Sequence, residues 1–179
     1  MSDSYLLFVP KDPCFIPEQS AINKAEGFLR TIKKSDKKQK IKYKKKYARL
    51  WARIPPAPDI EHDIVEELTL FHGMENFTIP SCSHCKSDIT KWWDEKMAYL
   101  GENLPRTETI YTKWSTPCCG QEVSLLELDY QNWGAFGCFA LMIDTTKTDI
   151  IHTEGGLSLV IEKIETLLKT PVNIVWQHI

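Results

Sequence analysis

Hydrophobic and polar positions divide the chain into segments of different period. Ser4 to Val9 (SYLLFV) is an apolar run closed by Pro10, which predicts a strand covered on both faces. Pro17 suits the first turn of a helix, and beyond it Ile22, Ala25, Phe28 or Leu29, and Ile32 recur at helical spacing. An amphipathic helix over 17–34 is expected, weakened at Gly27 by about 1 kcal/mol relative to alanine. Tyr43, Tyr47, Leu50 or Trp51, and Ile54 are spaced like one face of a second helix, which Pro55, Pro56 and Pro58 stop. Residues 64–71 (IVEELTLF) read as a strand ended by His72 and Gly73.

The middle of the chain has another texture. From Thr78 to Gly120 it opens on Pro80-Ser-Cys-Ser-His-Cys85, crosses an expected helix over 88–100 with Trp92, Trp93 and Leu100, and returns through an expected strand over 107–114. Residues 124–128 form a short helix or turn. Phe136 to Ile143 (FGCFALMI) is nearly continuous apolar sequence and predicts a central strand. Leu157, Val160, Ile161, Ile164, Leu167 and Leu168 stripe a helix over 156–169, which Thr170 and Pro171 end. Val172 to Trp176 supplies a last strand.

Removing the middle segment leaves strand, helix, strand, strand, helix, strand. That order predicts an α+β fold with a ferredoxin-like split βαβ sheet, its first and third strands central. The expected organisation is a discontinuous core, residues 1–76 and 121–179, interrupted by an inserted module, residues 77–120. Both faces of 136–143 are apolar, so the face without helices needs a cover. The module, the second helix and another subunit are the candidates.

The candidate chemistry lies in the module. Six cysteines occur, and the middle four (Cys82, Cys85, Cys118 and Cys119) cluster in a way that favours metal binding in a reducing compartment. A structural Zn2+ takes four soft ligands in a tetrahedron, and two thiolates separated by two residues reach one ion from a tight turn. Thirty-two residues separate Cys85 from Cys118, and Gly120 after the second pair can adopt positive φ. Adjacent cysteines converge only in a turn, so two arrangements stay open. Either all four are ligands, or His84, His72 or a distant residue replaces one of the adjacent pair. A redox dithiol at Cys82–Cys85 competes, but it leaves Cys118 and Cys119 unexplained. Cys14 and Cys138 read as ordinary residues, Cys138 as core filling.

Over about 40 residues, Pro80 to Gly120, these motifs resemble the zinc-ribbon class, whose signature is two Cys-x-x-Cys knuckles often followed by glycine. Cys82 and Cys85 match the first knuckle; Cys118 and Cys119 depart from the second because nothing separates them. The resemblance implies a small metal-stapled fold used for recognition or scaffolding, seldom for catalysis. The run Pro117 to Tyr130 followed by Trp133-Gly-Ala-Phe136 is also similar to a pattern in bacterial proteins without an assigned activity.

Charge changes the picture in one place. The net charge of −2 conceals a segment, Lys33 to Arg53, with eleven Lys or Arg against Asp36 alone, leaving −12 for the rest. Lys38, Lys42, Lys45, Lys46, Arg49 and Arg53, interleaved with Tyr43, Tyr47 and Trp51, are candidate contacts to a nucleic-acid backbone and its bases. A helix with a buried aromatic face and a solvated lysine face is the favoured alternative. No apolar run approaches the roughly 18 residues of a membrane span, and the start carries no signal-peptide pattern, so a cytoplasmic location is expected. Nucleotide-binding, zinc-protease and serine-hydrolase motifs are absent. His62 with Asp63, Glu66 and Glu67, and His152 with Glu154, read as surface groups rather than acid–base pairs. The leading expectation is a non-enzymatic interaction or scaffold protein with a structural Zn2+ and a protein partner. A zinc-stabilised nucleic-acid-binding protein ranks second, and an enzyme of unassigned reaction third.

Overall fold

A computed structural model of the chain describes residues 4–32, 59–75, 77–103, 106–148, 150 and 156–178. The basic segment 33–53, with its six candidate nucleic-acid contacts and expected helix, lies outside the described residues, as do His152 and Glu154. The elements run β1 (Ser4–Pro10), α1 (Gln19–Leu29), β2 (Ile60–His72), α2 (Thr90–Glu102), α3 (Arg106–Thr109), β3 (Trp114–Ser115), β4 (Glu122–Val123), β5 (Gly134–Asp144), α4 (Gly156–Leu168) and β6 (Val172–His178).

Four strands form one sheet in the order β2-β5-β1-β6, and every neighbouring pair is antiparallel. The two most apolar strands, β1 and β5, occupy its centre. Register explains the layering: Leu6 faces Ile143 and Trp176, and Phe8 faces Leu141 and Ile174, so these side chains share one face. Leu6, Phe8, Phe139, Leu141 and Ile143 pack there against Ile22, Ala25 and Leu29 of α1 and Val160, Ile164 and Leu168 of α4. The α4 stripe ends where Lys169 adopts φ 59° and the Thr170 N–H reaches back to the Glu165 carbonyl, a cap that frees Pro171 to start the turn into β6.

The second face is buried within a single chain. Leu7, Val9, Ala140 and Val175 form one cluster on it. Farther along β5, Phe136 and Cys138 join Leu68 of β2 and the apolar residues of the 77–130 region in another. Trp92, Trp93 and Leu100 of α2 belong to that cluster, with Ile110, Val123, Leu125 and Tyr130. Three elements depart from the sequence-based expectation. Strand β2 begins at Ile60 rather than 64, because the pairing from Ile60 to Ile64 belongs to an edge strand with exposed Glu61 and Asp63. A bulge then shifts register between Ile64 and Thr69. Helix α1 is shorter than expected, ending at Leu29. The strand expected over 107–114 is instead α3 followed by a turn, with only Trp114 and Ser115 extended. There Ile110 alone is fully buried, its N–H bonded to the Arg106 carbonyl, while Tyr111 is exposed. One anchor in a helical turn replaces the alternation that a strand needs.

Candidate metal centre

Two hairpins build the centre. Ser81 bridges Asp88 around residues 82–87, and Ser115 of β3 pairs with Glu122 of β4 around residues 116–121. Each loop is closed by its own backbone bonds, Lys86 N–H to the Cys82 carbonyl at 3.0 Å and Gly120 N–H to the Thr116 carbonyl at 2.9 Å. Each reverses direction at a residue of positive φ, Lys86 at 59° and Gly120 at 71°. Glycine enters that conformation without strain, and Lys86 is a non-glycine residue held in it. Ile89 and Val123, one residue past the closing pairs, are buried in the cluster that contains Trp92 and Trp93. The Trp92 indole N–H also donates to the Ser115 carbonyl at 3.2 Å, tying α2 to the second hairpin.

The loops bring Cys82, Cys85, Cys118 and Cys119 together, their four Sγ atoms within 4.8 Å of one another. Cys82 and Cys119 Sγ are 3.7 Å apart, and Cys85 and Cys118 Sγ 3.3 Å apart. Zn–S bonds of about 2.3 Å in a tetrahedron imply S···S edges of about 3.8 Å, so the cluster is geometrically compatible with a structural Zn2+. All four thiols are free. Cys82 is wholly buried and the other three are exposed.

The electrostatics suit a cation. Backbone N–H groups of Cys85 and His84 hold the Cys82 thiol below its ordinary range against the opposing effect of burial. The Ser87 hydroxyl and backbone N–H bring Cys85 down to about 6. Cys118, hydrogen-bonded to Cys85, is pushed up to about 12. Binding a divalent ion displaces thiol protons, and the lowered Cys82 and Cys85 thiols favour that step. Four thiolates fill a tetrahedral shell, whereas a catalytic zinc keeps a position open.

Both adjacent cysteines join the cluster. Neither histidine alternative does: among the described residues the convergent group consists of the four cysteines alone. His72 instead accepts the Met74 N–H through Nδ1 and rests on Phe77. His62 lies 2.7 Å from Glu26 of α1, which also pairs with Arg30, so it joins the sheet edge to a helix. Cys138 is buried core, and Cys14 is exposed with its Sγ 4.0 Å from the Tyr111 hydroxyl. Sequence reasoning missed Thr116, which is buried with its hydroxyl 3.3 Å from Cys119 Sγ.

Fold and site together define a mixed α+β protein with an antiparallel sheet and a cysteine-rich cluster consistent with a zinc-ribbon-like module. No family model, curated protein or solved structure matches the chain. No helix among the described residues is long and apolar enough to cross a membrane.

Proposed function

We propose that this chain is a non-enzymatic interaction or scaffold protein in which one structural Zn2+, held by Cys82, Cys85, Cys118 and Cys119, stiffens a recognition surface for a protein partner. One observation carries the reading: thiols from two separate hairpins meet beside the hydrophobic cluster that lines the sheet's second face. On this reading residues 77–120 are an inserted module, and residues 1–76 with 121–179 form a ferredoxin-like split βαβ core. The order β2-β5-β1-β6 with antiparallel neighbours supports that topology. The cytoplasm is the assigned location, because a reducing compartment keeps such thiols available to metal.

The test is metal content and melting before and after chelation. One zinc per chain is expected. If free zinc stands at about a thousand times its dissociation constant, stripping it removes about 4 kcal/mol. At about 2–4 °C per kcal/mol for a chain of this size, the melting temperature falls by about 8–16 °C. Returning zinc restores it. A melting curve unchanged after complete stripping refutes the structural role. The second reading, nucleic-acid binding through Lys38, Lys42, Lys45, Lys46, Arg49 and Arg53, rests on the +10 charge of residues 33–53. It requires association with random-sequence DNA or RNA that weakens steeply between 50 and 200 mM salt, about the range over which phosphate contacts are titrated away. Absence of such association removes it.

A further inference from the structure

The two hairpins are the same turn, thirty-four residues apart, and the correspondence holds bond by bond along the backbone. The Cys82 N–H donates to the Ser87 carbonyl at 3.0 Å, and the Thr116 N–H donates to the Gln121 carbonyl at 2.9 Å. Lys86 to Cys82 and Gly120 to Thr116 repeat the inner bond, with positive φ at both donors. Ser81–Asp88 and Ser115–Glu122 close the loops at matching positions. Burial repeats too: Cys82 and Thr116 are both buried, and the four residues after Cys82's neighbour and after Pro117 are all exposed. In this register Cys85 matches Cys119. Cys82, the buried first ligand of the first knuckle, matches Thr116, and Cys118 falls at the position of His84.

Resting on the zinc reading above, we propose that residues 116–121 are a Cys-x-x-Cys knuckle whose first ligand position is occupied by Thr116, with the missing thiolate supplied by Cys118 at the turn's third residue. Thr116 keeps the buried position, and its hydroxyl donates to Cys119 once that sulfur is ionised, making it a positioning residue for a ligand. Cys118 reaches the ion from the exposed apex. The shell is therefore asymmetric. The first knuckle contributes one buried and one exposed thiolate, and the second contributes two exposed ones. Exchange of the metal begins at Cys118, the ligand outside the ordinary knuckle position.

Cobalt(II) in place of zinc reads the ligand set directly, because sulfur-to-cobalt charge-transfer intensity grows with the number of thiolates. Wild type is expected to show four. Cys118→Ser should lose about one quarter of that intensity, and Thr116→Cys combined with Cys118→Ser should regain it, with zinc passing to a chelator more slowly than from wild type. Thr116→Val, nearly isosteric, should leave the circular dichroism unchanged and lower metal affinity by about tenfold. A four-thiolate wild type beside a double variant that stays at three thiolates, or does not fold, overturns the inference while sparing the zinc reading. So does a Thr116→Val chain with unchanged affinity. A wild-type chain that takes up no metal removes both.

Discussion

Gly73 is where the chain leaves β2 for the region of the cysteine hairpins, and three neighbours close around it. Its N–H donates to the Trp133 carbonyl at 2.8 Å and its carbonyl accepts from the His178 N–H at 3.3 Å. A methyl group at this position would sit 2.7 Å from the Trp176 carbonyl oxygen and 3.0 Å from Trp133 Cε3. Backbone cannot swing aside like the end of a side chain, and Trp176 is itself held by its N–H bond to the Asn132 carbonyl. Overpacking of this kind costs about 1–3 kcal/mol. A less flexible unfolded chain offsets about 0.4–1 kcal/mol of that. Gly73→Ala is therefore expected to lose about 1–2 kcal/mol, a fall of about 2–8 °C at 2–4 °C per kcal/mol. Gly27 supplies the control of opposite sign. It is exposed in α1 with nothing within 4 Å of an added methyl, so Gly27→Ala should gain about 1 kcal/mol, a rise of about 2–4 °C. Calorimetry on the zinc-loaded chain measures both. If Gly73→Ala melts at or above wild type while Gly27→Ala rises, the packing of β2's exit against Trp133 and Trp176 is refuted.

Two further outcomes follow from other parts of the molecule. The buried Asp144 carboxylate accepts from the Thr146 N–H at 2.8 Å and its hydroxyl at 2.6 Å, and pairs with Lys147 at 3.0 Å. Burial raises its pKa, but the bonds from Thr146 and Lys147 outweigh that and leave it below the usual carboxylate range. A lowered folded-state pKa stabilises above the unfolded value of about 3.9 and is lost as pH falls through the folded value. Asp144→Asn should therefore cost about 1.5–3 kcal/mol in urea unfolding at pH 7, with the gap narrowing below about pH 4. A gap unchanged at low pH contradicts the argument. Separately, diamide takes two electrons and two protons from a pair of thiols. On chelated protein it should first join Cys85 to Cys118, both exposed and 3.3 Å apart. Non-reducing peptide mapping reads the product, and a dominant Cys82–Cys85 bridge contradicts the cross-hairpin arrangement.

What the sequence made legible follows the strength of its local patterns. Strands β1 and β5 are nearly continuous apolar runs, α4 carries an uninterrupted stripe, and Pro10 and Pro171 mark their edges, so elements and central placement were readable. The beginning of β2 was not, since Glu61 and Asp63 lie on an edge and a bulge breaks the alternation before Leu70. The stretch 107–114 misled because Ile110, Tyr111 and Trp114 suggest a strand by residue type, whereas only Ile110 is wholly buried. At the centre, ligand type and the first knuckle were visible as Cys82-Ser-His-Cys85. The use of both adjacent cysteines was the leading expectation, but a histidine substitute stayed open because their convergence depends on the positive φ of Gly120 and on pairings that no spacing displays. Thr116 carried a faint signal. Thr-x-x-Cys-Gly repeats Cys-x-x-Cys-Lys with one sulfur changed to oxygen.

The hairpins explain why this part of the chain would use a metal. Strands β3 and β4 have two residues each and α3 has four, far below the lengths at which regular structure stabilises itself in water. Ile89, Val123, Trp92 and Trp93 anchor the inner ends of the loops in a shared cluster, but Cys85, Cys118 and Cys119 stand in solvent beyond it. The Lys86–Asp129 pair at 3.8 Å joins two exposed groups and contributes at most about 1 kcal/mol. Ordering each backbone residue costs about 1–2 kcal/mol, so apolar packing at the base does not by itself fix two six-residue loops at their tips. A cation shared by both tips would supply that constraint. A rigid pair of exposed turns beside a covered sheet face is what such a device produces, and rigidity at an exposed surface lowers the entropy lost when a partner docks.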